Sequence, residues 1–300
     1  MVTRADPGYG MGSHAIAETE LGAGTTASAR IKERLLGLFR APDYKPPLLP
    51  AVALELMALC RKPRVQVPEI VALLGRDPML AAQLLRIAES PVYARGGEPV
   101  RSLDDAVVRL GLARTADLFM RAALEARLLR APGYDTLMSA LRRHSAFTAE
   151  AARLVSRYAL GFDDYAFLCG LLHDMGVAAA VIALSELKDA PSRPNPEQLW
   201  LVLRDFHASS SEALANVWGL PREIGVVLGL HHELGNDRHI HPLAAAVSLA
   251  DHLATECGFG LFDECDASAT ETVAKKAGLD DAMLAKLRAS ARELAAKFQG

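Results

Sequence analysis

The apolar residues of this chain recur with one period, and that period fixes the class of fold open to it. From Ala29 onward they return every three or four positions, and no stretch alternates apolar with polar residues as a half-buried strand does. The run "DPMLAAQLLRIAES" carries its own punctuation. Asp77 is placed to accept from free backbone N–H groups, Pro78 suits the first helical turn, and Leu80, Leu84 and Ile87 share a face. Ser102 ahead of "LDDAVVRLG" repeats the pattern. The expected fold class is all-α. The breaker "APGYD" predicts a boundary near Ala131 to Asp135 between two packed helical bundles, 29–131 and 132–258. A linker and C-terminal helix follow over 259–300, with the linker around Asp263 to Thr270. Residues 1–28, rich in Gly, Ala, Ser and Thr, cannot build a core and are expected to be disordered. His14 lies there and is assigned no role.

A chain of 300 residues is long enough to bury one large core or two smaller ones. Its formal net charge of -3 gives no electrostatic basis for nucleic acid or an anionic membrane as a standing partner. Scattered arginines such as Arg121, Arg127 and Arg130 do not change this. Cys60, Cys169, Cys257 and Cys265 form no CxxC pair and read as reduced thiols, which favours a cytoplasmic location. The mild stretch "GVAAAVIALSEL" is too short to cross a bilayer and meets Glu186, so no membrane span is expected. The N-terminus lacks the basic start and apolar run of a secretion signal.

Eight of the nine histidines fall between His144 and His252, and several sit where leucines belong. Leu137, Leu141, His144, Thr148, Ala151 and Val155 share one helical stripe; Leu243, Val247, Asp251 and Ala254 share another. His173 and Asp174 interrupt the apolar run "FLCGLLHDMGVAA", while His231 and His232 close a helix that begins at Pro221. Singly, each has an ordinary reading: a hydrogen-bonded core histidine, a capping aspartate, or a favourable cation at a helix C-terminus. Together they aim imidazoles and carboxylates inward from four helices, and buried charge needs a partner. One divalent ion, or two sharing a carboxylate, would satisfy them all. Nitrogen and carboxylate donors suit Fe, Mn, Co, Ni or Zn. His239 and His241 lie in a loop, and His252 is turned about 100° from Asp251, so these three are expected outside the set.

The order His144, His173–Asp174, His207, His231–His232, Asp251 resembles the ligand order of the HD superfamily of metal-dependent phosphohydrolases. Residues 46–258 more closely resemble an HDOD domain, the HD-related output domain of bacterial signalling proteins. "LPAVALELMALC", "VPEIVALLGRDPMLAAQLLRIAESPVYARGGEPVRSLDDAVVRLGL", "LCGLLHDMG", "HASSSEALANVWGLP" and "HHE" carry that resemblance. It implies an N-terminal helical bundle packed on an HD-like bundle. It also implies a regulatory, non-catalytic module tied to two-component or cyclic-di-GMP signalling.

Three departures matter. Val177 stands where the cyclic-di-GMP phosphodiesterases of the superfamily carry a lysine, and "ELGNDRHIHP" after His232 contains no GYP. Glu89 replaces the Asn usual before Ser90. The resemblance thus predicts a cytoplasmic signalling protein that acts through a protein partner, with no catalytic residue. It predicts a metal centre of His144, His173, Asp174, His207, His231, His232 and Asp251, holding one or two ions. The alternative is a metal-dependent phosphohydrolase acting on a cyclic dinucleotide or nucleotide. There His144, His173, Asp174 and Asp251 hold one ion, and Asp174 bridges to a second on His207, His231 and His232. Asp174 is then the catalytic residue, and Arg142 and Arg143 are candidate phosphate contacts.

Overall fold

The computed structural model describes residues 28–39, 41, 44–94, 99–161, 165–186, 196–233, 240–261 and 267–299. The segment 1–27 with His14, the cysteine at 265 and the histidine at 239 lie outside the described residues, as do 234–238 and 262–266. All regular structure among the described residues is helical.

The first helices follow their punctuation. They are α1 (28–39), α2 (Ala51–Cys60), α3 (Val67–Leu74), α4 (Pro78–Glu89), α5 (Leu103–Leu110) and α6 (Leu112–Arg127). Asp77 accepts from the Leu80 N–H at 3.1 Å and Ser102 from the Asp105 N–H at 3.0 Å, so each cap satisfies a donor that the helix start leaves free. Gln66 and Glu69 close a capping box ahead of α3. Helices α2 to α6 pack chiefly on one another, and α6 also touches the later helix α8 (Ala166–Leu172).

The 26-residue helix α7 (Asp135–Leu160) is the spine of the rest. It packs against α8, α13 (Pro242–Glu256) and α15 (Asp281–Gln299). Helix α9 (Met175–Ser185) meets α11 (His207–Val217), which also packs on α12 (Arg222–Leu230). Helix α10 (Pro196–Leu203) precedes α11. One apolar core runs through both groups of helices, from Leu35 to Ala295. Its aliphatic side chains are each worth about 1.5–3 kcal/mol buried, which makes polar residues in the same stripes conspicuous.

Two glycines set how closely the helices around the polar residues approach. A Cβ on Gly170 of α8 would lie 2.7 Å from the Thr148 carbonyl oxygen and 2.9 Å from the Ala149 Cα of α7. One on Gly176 would lie 2.2 Å from the His207 carbonyl oxygen. Only glycine allows α8 to cross α7, and α9 to meet the start of α11, at these distances.

Two expectations need correction. The stretch read as linker up to Thr270 runs into a helix, α14 (Ala267–Lys276). Thr270, Val273 and Ala274 form a short buried stripe, and the polar sequence "ASATETVAKK" conceals it. Second, the longest apolar stretch is not "GVAAAVIALSEL" but Ala166–Ser185, which by length and composition alone is enough to cross a membrane. It is nevertheless two helices joined at His173–Asp174, and 94% of its apolar window is buried inside the protein.

Candidate metal centre

His173 and Asp174 do not end one helix. They are the joint between two: His173 caps the C-terminus of α8 and Asp174 takes the N-cap position of α9. The break turns both side chains out of the helical stripe and toward α7, α11, α12 and α13. His144 comes from the middle of α7, His207 from the first position of α11, His231 and His232 from the end of α12, and Asp251 from α13. The seven side chains meet in one cluster.

The Asp174 carboxylate lies at its middle. Oδ2 is 3.4 Å from His144 Nε2 and 3.4 Å from His173 Nε2. Oδ1 is 3.3 Å from His207 Nε2 and 3.8 Å from His231 Nε2. On the first side, Asp251 Oδ1 reaches within 3.4 Å of His144 Nε2 and 4.0 Å of His173 Nε2. On the second, His207 Nε2 and His232 Nε2 are 2.8 Å apart. Donor atoms of His144, His173 and Asp251 lie within 4.8 Å of one another, and so do those of His207, His231 and His232.

Four imidazoles are oriented from behind by the backbone. The Nδ1–H of His144 donates to the Phe259 carbonyl at 2.9 Å, and that of His173 to Gly170 at 2.9 Å. His207 donates to Leu203 at 3.0 Å and His231 to Leu228 at 2.6 Å. A carbonyl can only accept, so Nδ1 holds a proton and Nε2 of each ring faces inward. Histidines that bind metals are held in this way.

Such an arrangement is unfavourable without a cation. His144 Nε2 and His173 Nε2 face each other at 3.1 Å, and two lone pairs at that distance repel unless a proton or a metal ion lies between them. Burial opposes charge on His144, yet Asp174 and Asp251 outweigh it and hold its pKa above the usual imidazole value. At His231, burial and then the neighbouring imidazoles of His232 and His173 push the pKa well below that value. The ring is therefore neutral, which overturns its reading as a favourable helix-end cation. Its buried Nε2 has no hydrogen-bond partner, at a cost of about 1–3 kcal/mol for an orphaned polar group. Burial alone would raise the Asp174 carboxyl, but His173, His144 and His207 hold it well below the usual carboxylate range. Imidazole nitrogens around an ionised, bridging carboxylate form a donor set that fits a divalent transition metal.

His144, His173, His207 and His231 are fully buried, while His232 is exposed and Asp251 partly so. The cluster therefore has a closed floor and one side open to solvent. His252 is not among the converging groups of the described residues, and His241 caps α13 through the Ala244 N–H at 3.4 Å. Arg143 is exposed and lies over the Phe259 ring at 5.3 Å, and Arg142 is half-buried. Val177 is completely buried within α9.

The profile of the HDOD domain family matches residues 47–234, more than half of the chain. The chain belongs to the HDOD domain family. An uncharacterized protein of Treponema pallidum (strain Nichols) is 31% identical to it over 218 residues, 68% of this chain. The chain spans 41% of that relative's length. An HDOD domain protein from Geobacter sulfurreducens superposes with a TM-score of 0.67 at 22% identity, covering 92% of this chain and 98% of its own. A Shewanella amazonensis SB2B protein, named as a candidate metal-dependent phosphohydrolase, gives 0.67 at 20% identity over 91% and 99%. A candidate signal transduction protein from Marinobacter aquaeolei VT8 gives 0.63 at 24% identity over 93% and 64%. At these identities the structural likeness establishes the HDOD fold.

Sequence reasoning missed the carbonyls of Gly170, Leu203, Leu228 and Phe259. The first three lie three or four residues before their histidines, a spacing visible once the helices are known. Phe259 has no local signal. Its ring stacks on Phe147, three residues beyond His144 on the same helix, with centroids 4.4 Å apart. Gly170 and Gly176 did carry a signal, as isolated glycines inside a helical pattern.

Proposed function

We propose that this HDOD protein is a regulatory component of bacterial signalling that acts by binding another protein. In this proposal the His/Asp centre is a structural clamp holding one or two divalent transition metal ions. His144, His173, Asp174 and Asp251 are the residues for one ion, and Asp174, His207, His231 and His232 for a second. The observation that supports the clamp is the convergence of backbone-anchored Nε2 atoms on one bridging carboxylate. Five helix segments contribute donors, so filling the centre would lock α7, the α8–α9 joint, α11, α12 and α13 together. The division into an N-terminal bundle to about residue 131 and an HD-like bundle to about 258 belongs to the same proposal, as do the cytoplasmic location and the link to cyclic-di-GMP signalling.

The buried position of Val177 favours regulation over catalysis. A lysine at that place in a phosphodiesterase neutralises substrate phosphate; valine supplies no charge, and here it faces the core. The complete donor set and its open side at His232 and Asp251 favour a second function, metal-dependent phosphohydrolysis. A bound metal would lower the pKa of a coordinated water and so supply a nucleophile at neutral pH. The two are separated by turnover of cyclic-di-GMP and of a generic phosphodiester, with added Mn²⁺ or Fe²⁺, by wild type and Asp174→Ala. No turnover in either is expected. Robust wild-type turnover abolished by the substitution would promote the phosphohydrolase.

A further inference from the structure

A cavity of about 330 Å³ opens away from the His/Asp centre, where α2 and α6 meet α7 and α8. None of the seven residues of the His/Asp centre lines it. Three arginines do, Arg61, Arg114 and Arg153, with Asp117 as its acidic residue. Met57, Met120 and Phe167 supply apolar wall, and Tyr165 stands at the start of α8.

Arg114 is held in place from behind. Its guanidinium pairs with Glu150 and lies against two rings, 5.0 Å from the Tyr93 centroid and 4.8 Å from that of Phe167. Yet its Nη1 is buried with no hydrogen-bond partner, and the Asp117 carboxylate stops 4.0 Å away. That nitrogen is closed to solvent, so Arg114 acts on the cavity it lines through its positive charge rather than through this N–H. Arg61, exposed, lies 4.5 Å over the Tyr165 ring. Among the described residues Tyr165 is the single non-glycine residue with positive φ, at 60°. That conformation is unfavourable for an aromatic residue, and such strain concentrates at ligand sites.

We propose that this cavity binds a small organic anion with a flat apolar body. The anionic group is recognised by Arg61, Arg114 and Arg153, and the body lies between Tyr165 and the methionine side chains of Met57 and Met120. The volume is at the lower end for small-ligand pockets and suits a body of about mononucleotide size. Phe167 on α8 lies in the wall, and α8 runs directly into His173–Asp174. An occupant would thus brace α2 and α6 against the helix that carries the centre, making the cavity a place for an effector. The proposal does not depend on the presence of metal.

Calorimetric titration of the full chain with GMP, AMP and 2-naphthoate tests it, with guanosine as the uncharged control. Saturable binding of at least one of the three anions is expected, with guanosine about tenfold weaker or more. Arg61→Glu, a surface change, should weaken that binding by about tenfold or more. Ala113→Phe, at an exposed position in the cavity lining, should do the same by steric block. No saturable binding of any of the three at millimolar concentration would overturn the proposal. So would binding that both substitutions leave unchanged.

Discussion

His144 and His173 face one another Nε2 to Nε2 across 3.1 Å, each fixed from behind by an Nδ1–H bond to a backbone carbonyl. Neither ring can turn its other nitrogen inward without breaking that bond. The pair therefore calls for a positive charge between its members. Protein purified without chelator should carry one or two equivalents of a divalent transition metal by elemental analysis. His207→Ala should reduce the content toward one, and Asp174→Ala, which removes the shared carboxylate, should reduce it further. Metal-free wild type with unaltered stability would sink the clamp.

Removing the ion should cost stability. Chelation, or Asp174→Ala, leaves the imidazoles without their common partner, and the loss should be on the order of a few kcal/mol. Thermal melting should show a drop of several degrees that added metal reverses in the wild type and not in the variant.

The glycine contacts predict a sharper effect. Gly176→Ala drives a methyl group into the His207 carbonyl, and Gly170→Ala drives one into the α7 backbone. Neither neighbour is a flexible side-chain tip. Each should destabilise by about 1–3 kcal/mol or more, and each should lower metal content because it separates the helices that bring the donors together. Gly37→Ala on α1, where a Cβ meets nothing within 4 Å, should be neutral or mildly stabilising in thermal melts of the three variants.

The C-terminal helix is tied down by a pH-dependent contact. Arg288 of α15 donates from Nε and Nη2 to Glu256 of α13 at 3.0 and 2.8 Å. Burial opposes ionisation of this carboxyl, but Arg288 prevails and holds its pKa below the usual glutamate value. A depressed folded-state pKa contributes stability that is full above the unfolded value, about 4.3, and is lost as pH falls through the folded one. Glu256→Gln should therefore melt lower than wild type at pH 7. The gap should close as the pH is taken below the carboxylate range, and a gap independent of pH would contradict the assignment.

Much of this was legible in the chain itself. Periodicity dictated the helices, because a 3.6-residue repeat of apolar residues can bury one face only as a helix. Asp77, Pro78 and Ser102 marked helix starts through local hydrogen-bonding chemistry that needs no distant partner. The seven polar residues were conspicuous for the same reason: each occupied, or interrupted, a stripe that should have been apolar. Tertiary structure alone decided how they meet. The short helix α14 was hidden because its buried stripe of Thr270, Val273 and Ala274 is short and set among polar residues, and only packing on α13 and α15 reveals it. The neutral state of His231 depends on its burial and then on His232 and His173 approaching it, which no helix-end rule contains. The bridging position of Asp174 depends on Gly170 and Gly176 letting two pairs of helices nearly touch, and the orientation of His144 on a carbonyl 115 residues away. Local sequence sets what each residue prefers over a few bonds, whereas distances between helices are set by the packing of the whole core.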